Sequence, residues 1–170
     1  NVNKSEGPDG IHPRVLSENS DVLAYPLKLL FEKSFSLNKL PLDWRSGNIT
    51  TIFKKGSRLD VGNYRPVSVT CICCKIIESI IRDFITEHLI RNKVFSNKQF
   101  GFIKGRSTVL QLLKVMDMWT ESLESGGQID VIYTDLEKAF DKVPHKRLIS
   151  KLHSYKINIG IIKWIASLIC

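Results

Sequence analysis

The stretch Ile129–His145 reads IDVIYTDLEKAFDKVPH, and the interpretation of the whole chain depends on it. Residues 129–133 form an apolar run broken only by Asp130, which predicts a β-strand. Asp135 follows where this run ends, and Pro144 opens a second amphipathic stretch. A carboxylate at the end of a strand can project into a cleft and bind a metal. An Asp in that place more commonly caps the next helical turn, so the rest of the chain must decide between the two.

Composition and charge favour one globular domain with an anionic partner. A chain of 170 residues with 43% hydrophobic and 25% charged residues can form a single domain with a proper core. The net charge of +8 favours a polyanionic partner, although such a surplus can also serve solubility alone. No acidic residue occurs between His88 and Met116. That interval holds Arg91, Lys93, Lys98, Lys104, Arg106 and Lys114, and an earlier basic cluster holds Lys54, Lys55, Arg58 and Arg65.

The cysteines show no metal-binding spacing, and the sequence shows no targeting or membrane-spanning segment. Three of the four cysteines, Cys71, Cys73 and Cys74, lie in one apolar run without zinc-site spacing. We therefore expect small buried side chains in a reducing compartment. No signal peptide and no apolar run of ~18–20 residues is visible, so no membrane association is expected. The chain lacks an initiating Met and stops at Cys170 inside a helical pattern, which predicts a piece of a longer protein.

The order of predicted elements indicates an α+β fold without internal repeats. Pro66 restricts the second strand to a sheet edge or to its own beginning. Basic loops are predicted over residues 54–63 and 92–108. Helices are predicted over residues 13–16, 21–37, 71–90, 109–123, 144–156 and 159–170, and strands over 47–53, 64–70 and 129–133.

Five short phrases are weak separately but strong in their order and spacing. They are KSEGPDGI (4–11), IFKKG (52–56), NYRPVS (63–68), QFGF with GRS (99–107) and DLEKAFDKVPH (135–145). Together they resemble the front half of the reverse transcriptase domain of non-LTR (LINE-type, jockey-like) retrotransposons. The resemblance implies a right-hand polymerase fold, with fingers over about 1–127 and the start of the palm over about 128–170.

The resemblance also implies an RNA-directed DNA polymerase that uses an RNA template, a DNA primer and deoxynucleoside triphosphates. Two Mg²⁺ ions ~3.5–4 Å apart would act in the complete enzyme. The Asp135 carboxylate and the Leu136 backbone carbonyl would be metal ligands, since Mg²⁺ prefers oxygen. Phe140 would exclude a 2′-hydroxyl beneath the incoming sugar, although a Phe in this place can also be a core residue. Asp141 and His145 are interpreted as structural.

Two basic segments acquire roles from the same resemblance. Arg65, together with Lys54 or Lys55, would bind the triphosphate, whereas the alternative is a solvated charged loop. In the second segment, the residues implied to contact template and incoming base are Gln99, Gly101, Lys104 and Arg106. Phe100 and Phe102 can equally be core anchors of that loop.

The second catalytic motif of the family, with paired aspartates, would lie beyond Cys170. Asp130 would not replace it, because an odd offset from Asp135 points it to the opposite face of a strand. We therefore expect the 170-residue chain to be inactive by itself. Two alternatives stay open: a non-catalytic nucleic-acid-binding remnant of a decayed or domesticated element, and a basic interaction module without a metal role. By resemblance, the full-length protein would carry an endonuclease domain and act in the nucleus.

Overall fold

The computed structural model describes residues 2–136 and 142–169, which form helices and one small antiparallel sheet. The predicted α+β class is confirmed. None of the helices in these residues has the length and apolarity needed to cross a membrane. The helices are α1 (Pro13–Glu18), α2 (Ser20–Leu37), α3 (Ile72–Arg91), α4 (Thr108–Glu124), α5 (His145–Ser154) and α6 (Ile159–Ile169), with 3₁₀ turns at Leu42–Arg45 and Val61–Asn63. The strands are β1 (Gly47–Phe53) and β2 (Tyr64–Thr70).

The chain divides into two compact units. One comprises Asn1–His88 with Pro144–Cys170, and the other comprises Leu89–Val143. The first unit has a hydrophobic core built from α2, α3 and α6. In α4 of the second unit, no side chain is buried.

The core of the first unit follows from apolar residues at helical spacing. Ile77 and Ile81 recur on the buried face of α3, after Cys73 and Cys74. The pKa of the Cys71, Cys73 and Cys74 thiols is raised above the usual value, chiefly because burial disfavours the thiolate. These thiols are buried and free, so their interpretation as small buried side chains is confirmed.

A buried hydrogen-bond chain joins α2 to α6. Trp164 is 1% exposed, and its indole N–H donates to the Ser34 hydroxyl, which is itself buried, at 2.9 Å. The Ser34 hydroxyl in turn donates to the Lys39 carbonyl at 2.7 Å. The ring of Phe35 stacks on Trp164 with centroids 5.4 Å apart. One hydroxyl therefore serves both as acceptor and as donor in a place that water does not reach.

We expect Ser34→Ala to lower the free energy of unfolding by about 1–3 kcal/mol, because it leaves the indole N–H and the Lys39 carbonyl unpaired. Ser36→Ala is the matched control in the same helix. The Ser36 hydroxyl also donates to a backbone carbonyl, that of Lys33, but this bond is exposed. Urea unfolding should therefore show less than about 0.5 kcal/mol for the control. Equal effects of the two substitutions would contradict the buried role of Ser34.

Three helices end in the same capping motif with a residue other than glycine in the left-handed region. Asn38, Lys93 and Lys156 have φ of 49°, 53° and 57° after α2, α3 and α5. The Lys93 N–H bonds the Ile90 carbonyl and the Val94 N–H bonds the Leu89 carbonyl, both at 3.0 Å. This pattern is the Schellman motif, in which glycine is usual. Lys93 and Lys156 therefore adopt a left-handed backbone conformation that is unfavourable for residues other than glycine.

The strands β1 and β2 pair in antiparallel register at the bounds predicted from sequence, from Gly47 opposite Thr70 to Phe53 opposite Tyr64. Pro66 lies within β2, opposite Thr51. A two-stranded sheet leaves each strand with an outer edge, and there a missing N–H removes no ladder bond. Of the two alternatives predicted for Pro66, a place in an edge strand is the one found in the sheet of the described residues.

The strand predicted over residues 129–133 is wrong. Residues 127–136 form neither helix nor strand, and the side chains of Ile132 and Tyr133 are 87% and 86% exposed. A strand needs the backbone of a neighbour for its hydrogen bonds. Among the described residues only β1 and β2 form a sheet, and they pair with each other. Asp130 and Asp135 therefore do not lie on opposite faces of a strand.

Candidate functional site

The hairpin of the first unit presents two cations on one face. The register sets Arg65 opposite Ile52, and residues opposite each other share a face of the sheet. The Lys54 N–H donates to the Asn63 carbonyl at 2.8 Å and extends the ladder by one pair. Because side chains alternate along a strand, Lys54 lies on the face of Arg65. Lys55 follows the last paired residue, so the register favours Lys54 over Lys55 as the partner of Arg65.

The other face of the hairpin is occupied by an aromatic cluster. The rings of Phe53 and Tyr64 meet edge to face with centroids 5.5 Å apart. The Arg58 guanidinium lies 5.3 Å from the Phe53 centroid, and the Tyr64 hydroxyl donates to the Arg58 carbonyl at 2.9 Å. Arg58 thus fastens the loop to the strands. Lys54 and Arg65 are exposed and form no ion pair with any described residue.

In the second unit, Arg106 folds the basic loop back on itself. Its Nη1 donates to the carbonyls of Ser96 at 3.1 Å and Asn97 at 3.3 Å, and also to the carbonyl of Gln99. The guanidinium lies 5.7 Å from the centroid of Phe100. Arg106 is half-buried and engaged with the loop backbone, which the basic composition of this segment did not reveal.

The remaining residues of this loop differ in exposure. Lys104 and Gly101 are exposed, and the Gln99 side-chain amide donates to the Gly101 carbonyl at 3.3 Å. Phe102 is 92% exposed with φ of 62°, so its interpretation as a core anchor is wrong. Phe100 is half-buried beneath Arg106.

The metal-ligand candidates lie in the irregular segment of residues 127–136. Asp135 and Leu136 are both exposed, and they offer one carboxylate and one backbone carbonyl. Oxygen donors of this kind suit Mg²⁺, but an octahedral ion needs about six ligands. In residues 2–136 and 142–169, no group of three His, Cys, Asp or Glu side chains could hold a metal ion. The donor type fits the metal, while the described donors supply only part of its ligands.

Other predicted residues fall outside the described part of the chain or have a structural place. Phe140 and Asp141 lie outside the described residues. Gly7 is buried at the junction of β2 and α3, where a Cβ would meet the Cys71 Cα at 2.5 Å. Within the phrase KSEGPDGI, Gly7 is thus packed against the core. The sequence placed Lys93 in a basic interval, but no motif indicated that it lines a cavity.

Comparison with known proteins establishes the class. Residues 52–169 match the family described as "Reverse transcriptase (RNA-dependent DNA polymerase)". The chain belongs to this family, and its resemblance to non-LTR retrotransposon reverse transcriptases is confirmed.

Three of the relatives, all from Drosophila melanogaster, are named as RNA-directed DNA polymerases of mobile elements, two of them as probable ones. "Probable RNA-directed DNA polymerase from transposon BS" is 26% identical over 152 residues, 89% of this chain and 17% of that protein. "RNA-directed DNA polymerase from mobile element jockey" is 29% identical over 151 residues, 88% of this chain and 16% of that protein. "Probable RNA-directed DNA polymerase from transposon X-element" is 28% identical over 144 residues, 84% of this chain and 16% of that protein. The chain thus spans about a sixth of the length of these curated relatives.

Proposed function

We propose that this chain works as part of an RNA-directed DNA polymerase of a non-LTR retrotransposon. It would contribute the fingers, over about 1–127, and the start of the palm, over about 128–170, of a right-hand fold. The reaction is nucleotidyl transfer from deoxynucleoside triphosphates to a DNA primer on an RNA template. Family membership over residues 52–169 and the two-cation face of the hairpin support this proposal.

The observation that carries the nucleotide site is the shared face of Lys54 and Arg65. A triphosphate brings several negative charges, which an exposed lysine and a guanidinium can bind together through charge-assisted hydrogen bonds. Arg58 is excluded from this role because its guanidinium lies over Phe53 on the other face. The hairpin therefore binds and orients the triphosphate.

Reverse transcriptases use divalent metal ions, and the Asp135 carboxylate and the Leu136 carbonyl would hold Mg²⁺ here. When bound, the ions supply charge stabilisation for the attacking and leaving oxygens of the in-line displacement. Phe140 is proposed to exclude the 2′-hydroxyl of the incoming sugar. Gln99, Gly101 and Lys104 are proposed to contact template and incoming base, and the endonuclease domain remains a prediction from the resemblance.

The hairpin register gives a test that separates neighbouring lysines. In a polymerase that contains this chain, Arg65→Ala and Lys54→Ala should raise the KM for deoxynucleoside triphosphates by about 10- to 100-fold, since each removes a charged hydrogen bond of about 1.5–3 kcal/mol. Lys55→Ala also removes one positive charge, but Lys55 lies outside the paired residues of the hairpin. This substitution should therefore change KM by less than about threefold. Steady-state primer extension measures these values. A larger effect for Lys55→Ala than for Lys54→Ala would contradict the assignment.

A second candidate function is non-catalytic binding of nucleic acid by a remnant of such an element. The observation that favours it is the interval between His88 and Met116, which holds lysines and arginines but no acidic residue. The basic loops would retain their affinity for nucleic acid without chemistry. If a polymerase containing this chain and a complete set of metal ligands binds RNA but extends no primer, this candidate replaces the enzyme.

A further inference from the structure

A cavity in the second unit lies between the C-terminal end of α3 and the basic loop that follows. Its volume is about 640 Å³, within the range of roughly 300–1,000 Å³ typical of ligand pockets. One part of its lining is apolar, including Phe95 and Ile103, and another part is polar, including Asn97, Lys93 and Lys104. An aromatic wall beside an amide and ammonium groups suits a ligand that combines a base with a phosphate.

The charged residues in the segment of the chain that lines this cavity are all positive. All of its lining residues come from the interval between His88 and Met116, which contains no acidic residue. Neither Lys93 nor Lys104 forms an ion pair with a described residue. The cationic lining therefore favours an anionic ligand.

Lys93 lies directly after the C-terminal end of α3, and the helix dipole at this end would by itself repel an anion. The C-terminal end of α3 carries partial negative charge. The carbonyls of Leu89 and Ile90 accept the capping hydrogen bonds from Val94 and Lys93 at 3.0 Å, and the Lys93 ammonium adds a full positive charge at this end. A residue at φ of 53° would more easily be glycine. Lysine at this position thus carries a backbone cost and supplies the cavity with a cation.

Arg106 contributes to the cavity in a different way. Three backbone carbonyls of the loop accept hydrogen bonds from its Nη1, and its guanidinium lies over Phe100. These contacts join residues 96–99 to residue 106 and so fix the loop that forms the cavity wall. Arg106 is therefore a positioning residue, and Lys93 and Lys104 are the residues that would bind a phosphate.

We propose that this cavity binds one nucleotide of a single-stranded RNA, with its phosphate at Lys93 and Lys104 and its base against Phe95. The inference rests on the proposed function, which supplies the RNA strand. A base within a duplex is stacked and paired, and it could enter such a cavity only by leaving the helix. The site therefore selects single strands, and it is a contact beyond the triphosphate site of the hairpin.

The test measures binding of a fluorescein-labelled oligouridine of about 12 nucleotides to the 170-residue chain by anisotropy, between about 50 and 200 mM salt. Lys93→Gly should weaken binding about three- to tenfold and reduce the salt slope by about 0.7, the value for one lost single-strand phosphate contact. Glycine suits the left-handed backbone, so this variant should remain folded. Lys156→Gly is the matched control, because Lys156 has the same capping position and charge at the end of α5.

A second pair of variants uses the loop itself. Lys104→Ala should weaken binding about three- to tenfold, whereas Lys98→Ala, which removes an exposed lysine outside the cavity lining, should change it less than about twofold. Arg106→Gln should lower affinity at every salt concentration and leave the slope unchanged, as expected of a positioning residue. A slope reduced by a whole contact would overturn that role and make Arg106 a phosphate ligand.

The outcomes separate this inference from the proposed function. If the chain binds oligouridine but Lys93→Gly matches Lys156→Gly and Lys104→Ala matches Lys98→Ala, the cavity site is overturned and the polymerase proposal stands. If the unaltered chain binds no RNA, the cavity site is overturned, whereas the polymerase proposal still rests on family membership and the hairpin and is tested by primer extension. On duplex RNA of equal length we expect no difference between Lys93→Gly and Lys156→Gly. A difference there as large as on the single strand would overturn the base-binding role of the cavity.

Discussion

Asp135→Asn should reduce primer extension about 10³-fold or more in a polymerase that contains this chain together with the rest of its metal site. The substitution keeps the size of the side chain and removes the negative charge of a proposed metal ligand. Metal stabilisation of transition-state charge is worth several kcal/mol. Since 1.36 kcal/mol corresponds to a factor of ten in rate, a loss of about 4 kcal/mol gives this magnitude. The loss should appear in kcat, because the metal ion proposed to bind this carboxylate would act at the reacting phosphate.

Asp130→Asn is the control for this prediction. Asp130 and Asp135 lie in the same irregular segment of residues 127–136, so the two substitutions make the same change of charge a few residues apart. Single-turnover extension over a series of Mg²⁺ concentrations separates a weakened metal site from a lost nucleotide site. Full activity of Asp135→Asn would contradict the metal role and favour the capping interpretation of this residue.

Local pattern was sufficient to predict most of the elements. The bounds of β1 and β2 agree with the prediction because β-branched residues there flank a polar loop that contains Gly56 and Gly62. The helices could be located from apolar spacing, and α2 and α4 lie within one residue of their predicted ends. Apolar spacing and β-branched composition depend only on the residues of one helix or strand, so they can be recognised from the sequence of that element alone.

Other features depend on partners distant in sequence. Residues 129–133 have a strand-like composition, but a strand also needs a neighbour, and none is present among the described residues. The resemblance implied a nucleic-acid contact for Arg106, which stays a prediction. Its Nη1 donates to three loop carbonyls, an arrangement that composition does not reveal. The metal role proposed for Asp135 came from family resemblance, since its local sequence by itself favoured a helix cap.

The phrase KSEGPDGI gave no physical reason for Gly7, and the structure supplies one. A Cβ at Gly7 would lie 2.5 Å from the Cys71 Cα, 2.7 Å from the Cys71 nitrogen and 2.9 Å from the Thr70 carbonyl carbon. All three are backbone atoms, so no side-chain rotation relieves the overlap. Cys71 is fully buried, and its carbonyl and thiol accept hydrogen bonds from Lys75 and Cys74 at the start of α3. Neither side of this contact can therefore move cheaply.

We expect Gly7→Ala to lower the free energy of unfolding of the first unit by about 3 kcal/mol, at the upper end of overpacking costs. Gly10→Ala separates packing from backbone effects and should cost about 1 kcal/mol. Gly10 has φ of 67°, and a Cβ at this position would have no atom of the described residues within 4 Å. Urea unfolding followed by tryptophan fluorescence in a Trp119→Phe background reports on Trp44 and Trp164, which are buried in this unit. A Gly7→Ala cost no greater than that of Gly10→Ala would mean that residues 4–11 do not pack against Cys71.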